Sequence, residues 1–245
     1  MSRYALFRSM LLLGLFVGSI ADIPAASTTN SANRFFNVRD FGAKGDGQTS
    51  DTATLQKALD ACAKAGGGTV TVPAGVYLTG SLVMGSDTRL QLERNANLSG
   101  SADIKDYPLV KVRWEGEFST GHGALICAEK AKNVSITGNG SIFGPPISLS
   151  RLREPRGPSL IEFTECTNVV LDGFSTQYQQ LWSIHPLFCR NFIARNLTIR
   201  SINFNGDGID VDSCRDVLIE NCDINTGDDA IALKSGRGLE AVRLA

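Results

Sequence analysis

The 245-residue chain carries almost no net charge, −1 with histidine neutral, and lacks an apolar run long enough to span a membrane comfortably. The charge balance removes any global attraction to nucleic acid or an anionic bilayer, so a grip on a charged ligand has to be local. Bulky packing units are scarce, with two Trp and twelve Phe against 25 Gly. That composition favours many turns. Helical periodicity occurs once, near residue 55, and does not return, which argues against a doubly wound α/β sheet. Hydrophobic residues make up 42%, enough for one large core.

The N-terminus reads as a removable leader. Arg3 and Arg8 flank a short apolar run from Met10 to Ile20, followed by small residues. A secretory signal peptide over 1–21 is expected, with cleavage after Ala21 or nearer Ser27. Its loss leaves 22 basic and 25 acidic residues, a net −3. Residues 22–33 are small, polar and unpatterned, a flexible lead-in to a domain over 34–245. The expected location is outside the cell or in the periplasm, with no membrane attachment once the leader is gone.

The rest of the chain repeats itself. Four phrases align, beginning Asn133-Val-Ser-Ile, Asn168-Val-Val-Leu, Asn191-Phe-Ile-Ala and Asp216-Val-Leu-Ile. The last three start 23 and 25 residues apart, and the first gap of 35 holds a loop with Pro145, Pro146, Pro155 and Pro158. Short alternating strands at this period, separated by Gly, Asn and Asp, describe a solenoid of stacked coils. Six Cys in an exported chain raise the question of disulfides. Cys166, Cys189 and Cys214 each open a repeat phrase, so a buried stack of small apolar side chains is preferred over bridges. Near the start, Asp51 can cap a helix through Leu55, Ala58, Leu59 and Cys62, stopped by Gly66-Gly67-Gly68. One helix there would cover the open edge of a β-solenoid.

Spacing also gathers acids. Laying Gly206-Asp207-Gly208-Ile209 over Asp228-Asp229-Ala230-Ile231, at an offset of 22, sets Asp207 under Asp229. The two belong on adjacent coils, about 4.8 Å apart. Asp228 lies beside Asp229, across the pleat or at a bend. Ile209, Val211, Ile231 and Leu233 point inward and the acids outward. Crowded carboxylates raise at least one pKa, and acid–base division of that kind suits glycoside hydrolysis. On spacing alone two other readings stay open: ordinary turn aspartates, or a Ca²⁺ edge joined by Asp210 and Asp212.

Particular phrases then resemble a known family. Asp40 to Thr52 (DFGAKGDGQTSDT), the helix, and GGGTVTVPAGVY from Gly66 resemble the opening of the pectate-lyase-like β-helix superfamily. Trp182-Ser-Ile-His-Pro, Asn205-Gly-Asp-Gly-Ile-Asp and Gly227-Asp-Asp-Ala-Ile-Ala-Leu-Lys-Ser-Gly together resemble glycoside hydrolase family 28, the polygalacturonase type, over about residues 34–238. The resemblance implies an all-β, right-handed parallel β-helix with an N-terminal capping α-helix. It implies hydrolysis of α-1,4-galacturonosidic bonds in pectin with inversion, using no cofactor and no metal. Asp228 would be the general acid, and Asp207 and Asp229 would share the attacking water. Asn205, His185 and Lys234 are the expected substrate-binding residues. His185 lines the groove or fills the turn before Pro186, and Lys234 supports a carboxylate or lies above Asp212. His122, in Gly121-His122-Gly123, precedes the acids and is read as a surface loop. The expected partner is a pectic galacturonan met by a monomer, with no nucleic acid.

The sequence departs from the family pattern at Gly206 (usually Thr), Val211 (often Pro) and Ala230 (often Cys). Gly206 is expected to loosen the backbone beside Asp207. The later Gly-His-Gly and Arg-x-Lys phrases do not occur before Ala245, so the chain is expected to be a fragment or a truncated gene product with little or no hydrolysis of polygalacturonate alone. A pectate lyase acting by β-elimination and a non-catalytic carbohydrate-binding solenoid are the competing readings.

Overall fold

The computed structural model describes residues 34–147, 155–179 and 181–244. The expected leader and lead-in fall outside the described residues. The fold is the expected right-handed parallel β-helix. Each coil after the first gives one strand to each of three parallel sheets. The first sheet runs Phe35–Asn37, Gly68–Val72, Thr88–Leu92, Lys132–Gly138, Thr167–Asp172, Arg190–Arg195 and Arg215–Glu220. The second runs from Asp46–Ser50 to Asp223–Asn225. The third, which carries the site, stacks Leu82–Val83, Ile126–Glu129, Ile161–Thr164, Ile184–Leu187, Ile209–Asp212 and Ile231–Lys234.

The repeat phrases set the register. Lys132 pairs with Thr167, Thr167 with Arg190, and Arg190 with Arg215, reproducing the 35-, 23- and 25-residue steps of the sequence. Each phrase opens on Asn or Asp because the chain there turns left-handed. Asn133, Asn168, Asn191 and Asp216 have φ of 54°, 58°, 54° and 58°. Asn and Asp tolerate that region better than other residues with a Cβ. The Asn amides then bond from coil to coil: Asn133 to Asp87 at 2.7 Å, Asn168 to Asn133 at 2.8 Å, and Asn191 to Asn168 at 3.0 Å.

Alternation turns every second side chain inward, and stacking aligns them in columns. In the third sheet the column is Leu82, Ile126, Ile161, Ile184, Ile209 and Ile231. The first five are buried, each contributing about 1.5–3 kcal/mol by transfer from water. On the last coil Ile231 is 45% and Leu233 82% exposed, so the inward orientation expected of them buries neither fully. The helix Thr52–Lys64 packs Leu55, Ala58, Leu59 and Cys62 against the other end. Asp51 precedes it, but its carboxylate makes no cap bond and instead accepts the amides of Lys44 and Gly45 at 2.6 and 2.9 Å. The six thiols are free, as the stacked reading requires. Cys189 donates to the Phe163 carbonyl and Cys214 to that of Pro186, one coil back in each case.

One element has no counterpart among the repeats. Leu109–Trp114 and Glu117–His122 form an antiparallel hairpin closed by Glu115 and Gly116, both left-handed. Such a two-residue turn matches the twist of the flanking strands. His122 therefore sits at a strand end, its ring nitrogen 2.8 Å from the Tyr107 carbonyl, and not in the surface loop expected.

Candidate active site

The hairpin lies against the outer wall of the third sheet. Its Arg113 places Nε 3.0 Å from Asp212 Oδ2, with both side chains 0% exposed. Trp114 stacks on Trp182 at 4.3 Å and 16°. Arg156 covers the far face of Trp114 at 3.6 Å, and Lys234 approaches Trp182 at 4.6 Å from its ring centre. At the hairpin tip, Gly116 abuts the Gly236–Arg237 backbone so closely that a Cβ would fall 2.6 Å from it. On one side of the hairpin, a cleft of about 550 Å³ opens over the earlier coils, lined by Lys111, Phe118, Cys127, Glu162, Thr164 and Phe188.

The acids gather where the second sheet turns into the third. The amide of Gly208 donates to the Asp229 carbonyl at 2.9 Å, and that of Ile209 to Ala230 at 3.1 Å. Asp207 and Asp229 therefore occupy equivalent places on successive coils, as the offset of 22 implied. Asp228 joins them through its side chain, which accepts the Asn205 amide at 3.3 Å and the Asp229 amide at 3.0 Å. Asn205 is thus tied to the acids by its backbone, with φ of 60°.

Burial divides the cluster. Asp228 and Asp229 are exposed on the last coil, whereas Asp207 is 4% exposed and Asp210 not at all. Burial is the chief cause that raises the Asp207 carboxyl; Asp210 and Lys234 pull it down and the charges of Asp228 and Asp229 push it up. Desolvation therefore outweighs the mutual repulsion expected from spacing. Asp210 is pushed up to about 8, first by burial and then by the Asp207 charge.

Lys234 aligns in backbone register with Asp212, but its ammonium turns to Asp210 at 2.9 Å and Asp207 at 3.8 Å. Asp212 is taken by Arg113, so the ladder over Asp212 does not form. Asp210 and Asp212 also lie buried behind side chains, although they point to the outer side of the sheet. His185 is enclosed beneath Trp182, its ring edge-on at 4.9 Å and its Nδ1 3.0 Å from Glu162 Oε2. With its side chain 0% exposed it faces no open groove, so any effect on a bound sugar passes through its neighbours. Gly206 is not slack. A Cβ there would lie 2.1 Å from Ser201 Oγ and 2.8 Å from the Asn203 carbonyl, so a side chain has no room. Among the described residues no group of His, Cys, Asp and Glu has the arrangement of a metal site.

Sequence reasoning missed Arg113, Trp114 and Glu162. The hairpin alternation in LVKVRW and EFSTGH around Glu115-Gly116 was the available signal. Glu-Gly announces such a turn less strongly than Asn-Gly or Asp-Gly.

A three-sheet stack of coils with acids clustered on one outer wall places the chain in the class of pectinase-like parallel β-helices. Comparison with known proteins gives the family. The model of Glycosyl hydrolases family 28 matches residues 62–244, and the chain belongs to that family. It is 35% identical to a probable polygalacturonase of Vitis vinifera, over 80% of this chain and 43% of that protein. It is 28% identical to an exo-poly-alpha-D-galacturonosidase of Dickeya chrysanthemi, over 88% of this chain and 44% of that one. Its fold matches a hyperthermoactive exopolygalacturonase from Thermotoga maritima with a TM-score of 0.78 and 31% identity, covering 86% of this chain and 57% of that one. The chain spans a little under half the length of the curated relatives it matches.

Proposed function

We propose that the site hydrolyses α-1,4-galacturonosidic bonds of pectic galacturonan by single displacement, inverting the anomeric centre. The observation that carries this reading is the stacking of Gly208 on Asp229, which gathers Asp207, Asp228 and Asp229 on one wall. Family membership and the polygalacturonase relatives support it. Asp228 is the general acid. It stands in solvent in the free protein, where a sugar laid over it brings the leaving oxygen within reach of its proton. Asp207 and Asp229 hold the attacking water between them as base. Inversion needs room for that water, roughly 6.5–9.5 Å between acid and base. Asn205 fixes Asp228 through its amide, and Lys234 fixes Asp207. The chain acts after export, as a monomer, on plant cell-wall pectin.

The test is incubation of the protein with polygalacturonate, following reducing ends and ultraviolet absorbance together. Slow release of reducing ends without an unsaturated product is the expected outcome, abolished in Asp228→Asn while oligogalacturonate binding persists. An absorbing product would mean β-elimination. Binding without any product would mean a carbohydrate-binding solenoid.

A further inference from the structure

Asp210 is a buried carboxyl that the acid–base scheme leaves without a task. It lies one full pleat beyond Gly208 on the strand Ile209–Asp212, pointing to the outer side of the sheet yet wholly shielded. Each element packed on it contributes a named group. From the following strand comes Lys234, 2.9 Å from Oδ1. From its own turn comes Asp207, and beyond it the exposed Asp228 and Asp229. On its own strand, Asp212 is engaged by Arg113 of the hairpin. From the preceding strand comes His185, set beside Asp210 by the register that pairs Ile184 with Ile209, and held by Glu162 behind it. The Lys234 ammonium lies in turn against the face of Trp182.

The hydrogen bonding decides the state of Asp210. Lys234 stands 2.9 Å from Oδ1, shared with Asp207 at 3.8 Å, and Oδ2 meets no donor. A buried carboxylate in that position is poorly solvated. A carboxylic acid there has an acceptor at hand in Asp207, the carboxylate that shares the Lys234 ammonium with it.

We propose that Asp210 is a positioning residue that keeps its own proton and donates it in a hydrogen bond to Asp207, so that Asp207 stays ionised and aimed as the water-activating base while Lys234 clamps both. This rests on the base role proposed above for Asp207. No bond is made or broken in the step: the proton remains on Asp210 through the cycle. The arrangement explains why two carboxyls and one ammonium share a nearly closed site. One acid and one anion against one cation leave no net charge to bury, whereas two anions would leave one uncompensated.

The test uses the whole chain labelled with carbon-13 at the aspartate carboxyls, titrated by NMR from pH 4 to 10. One carboxyl should change near pH 8, and that signal should be missing from Asp210→Asn. Lys234→Met keeps Asp210 and removes the ammonium that stabilises its anion; the late signal should then move to higher pH. If Asp210→Asn does not fold, the Lys234→Met shift alone decides. All carboxyls titrating below pH 6 in the folded parent, survival of the late signal in Asp210→Asn, or its indifference to Lys234→Met would overturn the inference. In turnover of polygalacturonate, the parent should lose kcat above pH 8 with KM unchanged. Asp210→Asn, whose amide still donates to Asp207, should keep its kcat through that range, and Asp210→Leu should lose at least tenfold at every pH. A parent with no turnover bears on the hydrolase reading alone, and the NMR result still judges Asp210.

Discussion

Replacing Arg113 with Met should detach the hairpin before the solenoid unfolds. Arg113 and Asp212 form a fully buried pair whose partners are 99 residues apart in sequence. Removing the guanidinium strands the Asp212 carboxylate, which keeps the Ser213 hydroxyl at 2.7 Å. Breaking a buried pair from one side costs about 3–5 kcal/mol. Contacts of the guanidinium with Phe118 and Phe188, at 5.0 and 5.1 Å, add to the loss. The opposing force is the stack of Trp114 on Trp182, which contributes only about 0.5–1.5 kcal/mol beyond its buried area. The unpaired charge wins, and the cheapest relief is to lift the hairpin and let water reach Asp212. The chain has two Trp, and both sit at this contact, so near-ultraviolet circular dichroism and Trp fluorescence report it directly. In urea, the Trp signal of Arg113→Met should be lost at lower denaturant than the far-ultraviolet strand signal, whereas the parent loses both together. The double variant Arg113→Met/Asp212→Leu should regain most of the Trp signal, because no charge remains to be hydrated. The reasoning fails if the single variant lies within about 1 kcal/mol of the parent with an unchanged Trp spectrum, or if the double variant is no better than the single.

Three further outcomes are expected. Folding stability should fall as pH rises from about 4 to about 8, because in that window the unfolded chain has released the Asp210 proton and the folded chain retains it; urea titrations of Asp210→Asn should show a flatter slope across the same range. Gly206→Thr, which restores the residue usual in the family, should destabilise through the clash with Ser201 Oγ and the Asn203 carbonyl, by about 1–3 kcal/mol as for other overpacked sites, and Ser201→Gly in the same chain should recover part of it in thermal melts. Ile136→Ala, in the middle of a buried column between Leu90 and Leu171, should cost about 2–5 kcal/mol by denaturant midpoint, while Ile231→Ala on the half-exposed last coil should cost well under that.

The solenoid was legible because its signals repeat. Asn133, Asn168, Asn191 and Asp216 each mark a left-handed residue, and the spacing between them is the register itself. The pairing of Asp207 with Asp229 followed from the same arithmetic. What stayed hidden depends on contacts across long sequence separations. Nothing near Arg113 says that it reaches Asp212, and nothing near Asp210 says that Lys234 of the next coil turns to it. Lys234 shows the limit of register: its backbone partner is Asp212, yet a long flexible side chain chose Asp210. Gly206 shows another, since reading glycine as freedom overlooked the neighbours that leave no space for a Cβ.

The amide row on the outside of the first sheet has a direction. Asn133, Asn168 and Asn191 each give a proton backward, and the row begins at Asp87, which can only receive. A coil therefore finds its acceptor waiting on the turn made before it, never on the one made after. Winding that starts from the helix-covered end and follows the order of synthesis always meets a finished template, and a coil laid out of turn does not. Asp216, an acceptor in the next place, cannot hand on the same bond, so the transmission of register by this row ends at Asn191 and passes to the backbone ladder alone.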